Sequence, residues 1–293
     1  MTRVSRTIVA GTAALLASAG LALAADMAIP YPEPPVVEEP IIAPMFGGWY
    51  IRGDVGVGIT GNDGWEMHDL AIAGGRFVTD DMGDALIVGA GVGYRIHERV
   101  RLEITGEYRG SIGISATDQY KYTCTFAGGS CPAIGAVIDR NNMWEGELSS
   151  TVVMANGLFD IGEFKGLRPF VGGGVGMAYN RIHGLRDFDP SDLGGGGIVN
   201  DKGKWNFAWA LQAGVGYEVN ERLTLEAGYR YINLGDAESG TVRCLPVGSC
   251  TYQGLKIKDI DSHDLRLGMR WLLDAPVAVE RVEPNFAPII RKY

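Results

Sequence analysis

A chain of 293 residues that holds 43 glycines without a collagen-like period suits closely packed strands and free turns better than helices. A formal net charge of -9 excludes the basic surface that a nucleic-acid partner requires. Length alone allows one large domain or two ordinary ones.

Residues 1–24 read as a secretory signal, with Arg3 and Arg6 ahead of an Ala/Leu/Gly-rich core that ends at Ala22-Leu23-Ala24. A membrane anchor is the competing reading, but the apolar core is short, and no later run approaches the ~20 apolar residues of a spanning helix. The chain is therefore expected to be exported and to cross any membrane by strands. Residues 25–46 form a proline-rich arm, an extended and semi-rigid spacer.

Folding is expected to begin at Gly47. The first strand sets Trp49, Ile51, Val55, Val57 and Ile59 against Arg52, Asp54, Gly56 and Gly58 at period two. A polar loop over 61–84 precedes a second strand, 85–96, where Leu86, Val88, Ala90, Val92 and Tyr94 oppose Gly89, Gly91, Gly93 and Arg95. The third, 100–111, sets Leu102, Ile104 and Tyr108 against Arg101, Glu103, Glu107 and Arg109. A loop over 112–147 carries Cys124 and Cys131.

The fourth strand, 149–161, places Val153, Ala155 and Phe159 opposite Asn156 and Asp160, and the fifth, 169–179, turns Val171, Val175 and Met177 away from Gly172, Gly174 and Gly176. Another loop spans 182–204. The sixth and seventh strands, 205–217 and 223–231, form a hairpin around Asn220-Glu221-Arg222 that repeats the text of 91–109. A loop over 235–262 carries Cys244 and Cys250, the last strand is 263–271, and residues 273–293 make a polar tail.

Eight strands in up-and-down order, joined alternately by short turns and loops of about 20–35 residues, fit an outer-membrane barrel better than an ordinary compact domain. The fold class expected is all-β, an eight-stranded antiparallel up-and-down transmembrane β-barrel over 47–272. One face carries Arg52, Asp54, Arg95, Arg101, Glu103, Glu107, Arg109, Glu218, Glu226, Arg230, Asp264, Arg266 and Arg270. Seven cations and six anions can satisfy one another within a closed lumen, whereas Arg101 and Arg109 facing lipid would each cost ~2–4 kcal/mol near the midplane. Trp49, Tyr94, Trp205, Tyr217, Tyr231 and Trp271 lie toward strand ends on the apolar face, as interfacial girdles do. A soluble barrel, with these charges in water, is the competing reading.

The final strand alternates Leu265, Leu267 and Met269 toward Trp271. Together with GVGYEVNERLTLEAGYRY from Gly214, it resembles the opacity-type surface-antigen barrels of alphaproteobacteria, within the superfamily of small OmpA-like transmembrane barrels. The resemblance implies that Leu265, Leu267, Met269 and Trp271 are the signal read by the barrel-assembly machinery. It implies contact with outer-membrane lipid and lipopolysaccharide, and attachment of the mature amino terminus at Ala25 to peptidoglycan; a free, flexible arm is the alternative. Members of that family usually stop at the aromatic, whereas 22 residues follow it here.

Four cysteines in an exported chain pair in three ways. The local pairs Cys124 with Cys131 and Cys244 with Cys250 are favoured over metal binding, because no histidine is near and no zinc spacing is present. Ser262-His263 is the nearest candidate for the rim nucleophile and base of a lipid-A-modifying enzyme, but it lacks an evident acid. Asp187, Asp189, Asp192 and Asp201 are read as solvating their loop rather than as a cation site. The expectation is a structural surface protein with a plugged lumen and with neither catalysis nor cofactor; a small porin is the alternative.

Overall fold

The structure, a computed structural model, describes residues 48–67, 74–190, 195–245 and 251–273. The expected signal segment, the whole of the proline-rich arm including Ala25, and the tail from 274 lie outside these residues. The strands described run β1 (Trp49–Gly61), β2 (Trp65–Met67), β3 (Arg76–Met82), β4 (Ala85–His97), β5 (Val100–Thr123), β6 (Val137–Arg140) and β7 (Met143–Asp160). They continue as β8 (Leu167–Phe188), β9 (Gly196–Val199), β10 (Lys202–Glu218), β11 (Leu223–Glu238), β12 (Val242–Cys244), β13 (Thr251–Tyr252) and β14 (Leu255–Leu272).

Eight of these strands are long and close into a ring. Antiparallel pairs run β1–β4–β5–β7–β8–β10–β11–β14, and β14 returns to β1 from Tyr50↔Leu272 to Gly61↔Asp261. The expected eight-stranded up-and-down barrel is thus present, and closure leaves none of the eight with an open edge through the membrane. Alternation sorts the side chains. Trp205, Phe207, Trp209, Leu211, Val215 and Tyr217 project outward along β10, about 30 Å of apolar wall once strand rise and tilt are allowed for. Ring pairs Trp49–Tyr94 at 5.1 Å near one end and Tyr179–Trp205 at 5.1 Å near the other mark its two borders.

The expected long loops are corrected. Residues 112–123, 143–148, 182–188, 202–204, 235–238 and 255–262 are strand, and β2, β3, β6, β9, β12 and β13 fill much of what remains. At ~3.3 Å per residue and a tilt near 40°, the 24 residues of β5 rise about 60 Å, more than twice the apolar band of about 25 Å. The surplus is a turret that stands outside the bilayer.

The turret has its own core, because water rather than lipid surrounds it. On β5 the inward residues are Arg101, Glu103, Thr105, Glu107 and Arg109; after an irregularity between Arg109 and Ile112 they are Ile112, Ile114 and Ala116. The extra residue reverses the phase, so Ser111, Gly113 and Ser115 now face out. On β7 the phase is kept and the chemistry changes instead, with Phe159, Ala155 and Val153 giving way to Ser149, Glu147 and Glu145 on the outer face. Trp65, Met67, Trp144, Leu148, Leu185, Val199, Leu234, Val242, Leu255, Ile257 and Ile260 complete the turret core.

Candidate functional site

Two features have the chemistry of a site: the lumen and the outer turret. Inside the barrel, six arginines and six carboxylates interlock in two layers. In the lower layer Arg101 reaches Asp160 at 2.9 Å, Glu226 at 3.0 Å and Glu103 at 3.5 Å, while Arg52 grips Glu103 at 2.5 Å. Tyr50 donates to Glu103 at 2.8 Å, and Arg270 lies 3.3 Å from Glu226 with its guanidinium over the Tyr50 ring. The upper layer is built on Asp264. It accepts from Arg109 at 2.8 and 2.9 Å, from Arg230 at 2.6 Å and from Ser262 at 2.7 Å. Glu107 accepts from Arg230 at 2.7 Å, and Arg266 pairs with Asp54.

Arg52 joins the layers through Asp54 at 3.6 Å. Bidentate and shared contacts of this kind keep each desolvated charge compensated, the condition under which burial is tolerable. Glycine makes room for them: a Cβ on Gly93 would meet the Tyr50 hydroxyl at 2.5 Å. Beyond the two layers Ile112, Leu148, Ile182 and Leu234 are buried, so the lumen grades from ionic to apolar toward the turret.

The thirteen charges singled out in the sequence do not all belong to this lattice. Glu218 lies at the periplasmic mouth, 3.2 Å from Arg168, and Arg95 ion-pairs with no carboxylate among the described residues. Both sit at the last inward position of their strands, one step beyond the packed layers. Asp160 takes up the lattice position that sequence reading left empty; its period-two relation to Asn156 was the available signal. Leu265, Leu267, Met269 and Trp271 all point outward on β14, between 42% and 64% exposed to the surroundings.

In the turret, Cys124 and Cys131 form a disulfide, with Cα atoms 5.7 Å apart. Cys244 is also disulfide-bonded, while Cys250 lies outside the described residues. The loop aspartates are not uniformly solvated. Asp187 is half-buried, with Oδ1 lacking a hydrogen-bond partner, and Asp189 pairs with Arg140. Asp201 accepts from Arg181 at 2.9 Å on the surface, and Asp192 lies outside the described residues. A cleft of about 970 Å³ opens between β2, β3 and the start of β14, walled by Trp65, Phe77, Arg76, Lys202, Glu238 and Lys256.

The enzymatic candidates lack the geometry. Ser262 points inward to Arg109 at 2.5 Å, whereas His263 points outward, its Nδ1 2.5 Å from the Tyr229 hydroxyl. Adjacent residues of one strand occupy opposite faces, so the two cannot act together. His183 contacts Ser111 at 3.4 Å and Glu147 at 3.0 Å, but through the same Nε2. A serine–histidine–acid relay needs one partner on each ring nitrogen.

Comparison with known proteins agrees with this architecture. The family model for the outer membrane protein beta-barrel domain matches residues 13–271. The chain belongs to that family. A Brucella abortus protein is 29% identical over 235 residues, covering 75% of this chain and 78% of its own. Outer membrane protein PagN of Salmonella typhimurium is 26% identical over 198 residues, 64% of this chain and 75% of its own. A candidate adhesin of Rickettsia prowazekii is 25% identical over 234 residues, 76% and 86% of the two chains. Among solved structures, the outer membrane protein OprG of Pseudomonas aeruginosa aligns with TM-score 0.46 and 13% identity, covering 78% of this chain and 97% of its own. Membership of the outer-membrane barrel family places the protein in the Gram-negative outer membrane, with lipid against the apolar belt. Of these relatives, PagN is named as an outer membrane protein and the Rickettsia chain as a candidate adhesin.

Proposed function

We propose that this outer-membrane barrel is a sealed structural scaffold that displays a folded turret at the cell surface. One observation supports the reading: two arginine–carboxylate layers cross the lumen below, and buried apolar side chains lie above them. An eight-stranded ring has room for little beyond its own side chains. Planar-bilayer reconstitution tests this; the expected record is a flat baseline, and steady, reproducible conductance steps would favour a porin instead.

The turret supplies a binding surface. Its cleft joins aromatic and charged side chains, and relatives described as adhesins support a role in attachment. Charge reversal at Arg76 and Lys256 should reduce adherence of whole cells to a host-cell layer while leaving surface display intact. Below the membrane, attachment of Ala25 to peptidoglycan is supported by the arm's length, since residues 25–44 in polyproline form reach roughly 60 Å. Lysozyme-digested, stringently washed sacculi should then release muropeptides bonded to Ala25; their absence would leave the arm untethered.

A further inference from the structure

The lower layer of the lumen, nearest the periplasm, carries more positive charge than its carboxylates compensate. Arg95 stands directly opposite Arg101 where β4 pairs with β5, and Arg52 directly opposite Arg270 where β1 pairs with β14. Like charges in directly opposed positions repel, so two such pairs on adjoining strands need anions to hold them. Glu103, Asp160 and Glu226 pair with Arg52, Arg101 and Arg270, and among the described residues no carboxylate pairs with Arg95. Arg168, a further guanidinium at this end, is held by Glu163 at 3.0 Å and by Glu218 at 3.2 Å. The upper layer has no charge to lend, because Asp54, Glu107 and Asp264 are matched there by Arg109, Arg230 and Arg266.

Arg95 is the guanidinium left over. It lies within electrostatic reach of Arg101, Arg168 and Arg270, and Asp160, the carboxylate that attracts it, is already bonded to Arg101 at 2.9 Å. Arg95 Nε, Arg101 Nε, Arg168 Nε and Arg270 Nη1 are buried and have no hydrogen-bond partner among the described residues. Each of four arginines at the mouth thus keeps a donor in reserve, and two of the four, Arg101 and Arg270, are buried side chains. A guanidinium fork grips an oxyanion through two oxygens at once, a geometry that a halide cannot offer. Tyr94, the residue before Arg95, faces outward and pairs with Trp49 at the periplasmic border of the apolar wall, so Arg95 stands near the height of the inner-leaflet phosphates.

We infer that the periplasmic mouth binds a phosphate group against Arg95, close to Arg101, Arg168 and Arg270, and that this group supplies the negative charge the lower layer lacks. The phosphate belongs either to a lipid headgroup that reaches over the short turn between β4 and β5 or to inorganic phosphate from the periplasm. The site is built wholly from strands of the barrel, and it holds whether or not the turret binds a partner.

The test uses the mature full-length protein, folded in uncharged detergent micelles and in phosphatidylcholine nanodiscs with and without phosphatidylglycerol. Inorganic phosphate should raise the urea midpoint in micelles and saturate, whereas chloride at equal ionic strength should not. R95Q should weaken the apparent phosphate affinity about tenfold, the loss of one charge-assisted hydrogen bond, while R222Q in an exposed turn should leave it unchanged. Arg95 takes no ion pair, so R95Q should fold at least as well as the parent in phosphate-free buffer. A headgroup ligand is identified by phosphatidylglycerol that the parent retains in native mass spectrometry and R95Q loses; a midpoint shift without retained lipid identifies inorganic phosphate. A parent protein that responds to neither probe overturns the inference whatever R95Q does, and so does an R95Q variant that responds as the parent does.

Discussion

Arg230 donates to both Glu107 and Asp264 while 2% exposed, so its loss leaves two desolvated carboxylates short of a partner. Arg230→Met should cost about 3–5 kcal/mol, read as a lower urea midpoint in micelles. Adding Glu107→Gln should recover part of that loss, because the orphaned charge leaves with the carboxylate. Asp187 is a different case. Burial first, and then the neighbouring Asp118, push its carboxyl from 3.8 up to about 6. A raised carboxyl binds its proton more tightly in the folded state, so it favours the turret at acid pH, and that contribution fades as pH rises from about 4 through 6. Hydrogen-exchange protection in β8, normalised to the intrinsic rate at each pH, should therefore rise from pH 7 to 5, and Asp187→Asn should flatten the profile. Glu238 acts in the opposite sense, because Lys204 and Lys202 hold its carboxyl low; its contribution is lost only at more acid pH.

Eight spanning strands were legible because lipid imposes a simple alternation, visible in Leu102, Ile104 and Tyr108 against Glu103 and Glu107. Their continuation into the turret was not, because the rule inverts at the water boundary. Ile112 and Ile114 sit one position out of phase with the outward residues before them, and a reader who follows a single phase loses the strand there. Trp144 ties the turret together, buried with its indole donating to Asp118 at 2.9 Å. Trp144→Ala should cost the turret about 3–5 kcal/mol and open it to protease, while heat-modifiable migration of the barrel on detergent gels persists. At the other end of β14, Leu265, Leu267, Met269 and Trp271 face lipid beside the seam with β1. If they form the assembly signal internally, Trp271→Ser should lower the yield of heat-modifiable barrel in cells, and deletion of 274–293 should not.

Taken as one body, the protein has two cores of opposite character on a single set of strands: ionic within the bilayer and greasy above it. The sequence displayed the first openly, as guanidinium and carboxylate groups on the face away from lipid. It hid the counter-ion Asp160 at a strand end, and placed Arg95 and Glu218 in a mouth that period two cannot distinguish from the lumen. The handover near Gly110 and Ser111 also fixes how deep the molecule floats. Tyr108 is 53% exposed on the lipid side, and the next outward residues, Ser111, Gly113 and Ser115, offer nothing to hydrocarbon. Sinking the cylinder by one strand pair would drown hydroxyls, and raising it would strand tryptophans in water. A thicker or thinner bilayer must therefore pucker around this wall, because the wall has no slack with which to follow it.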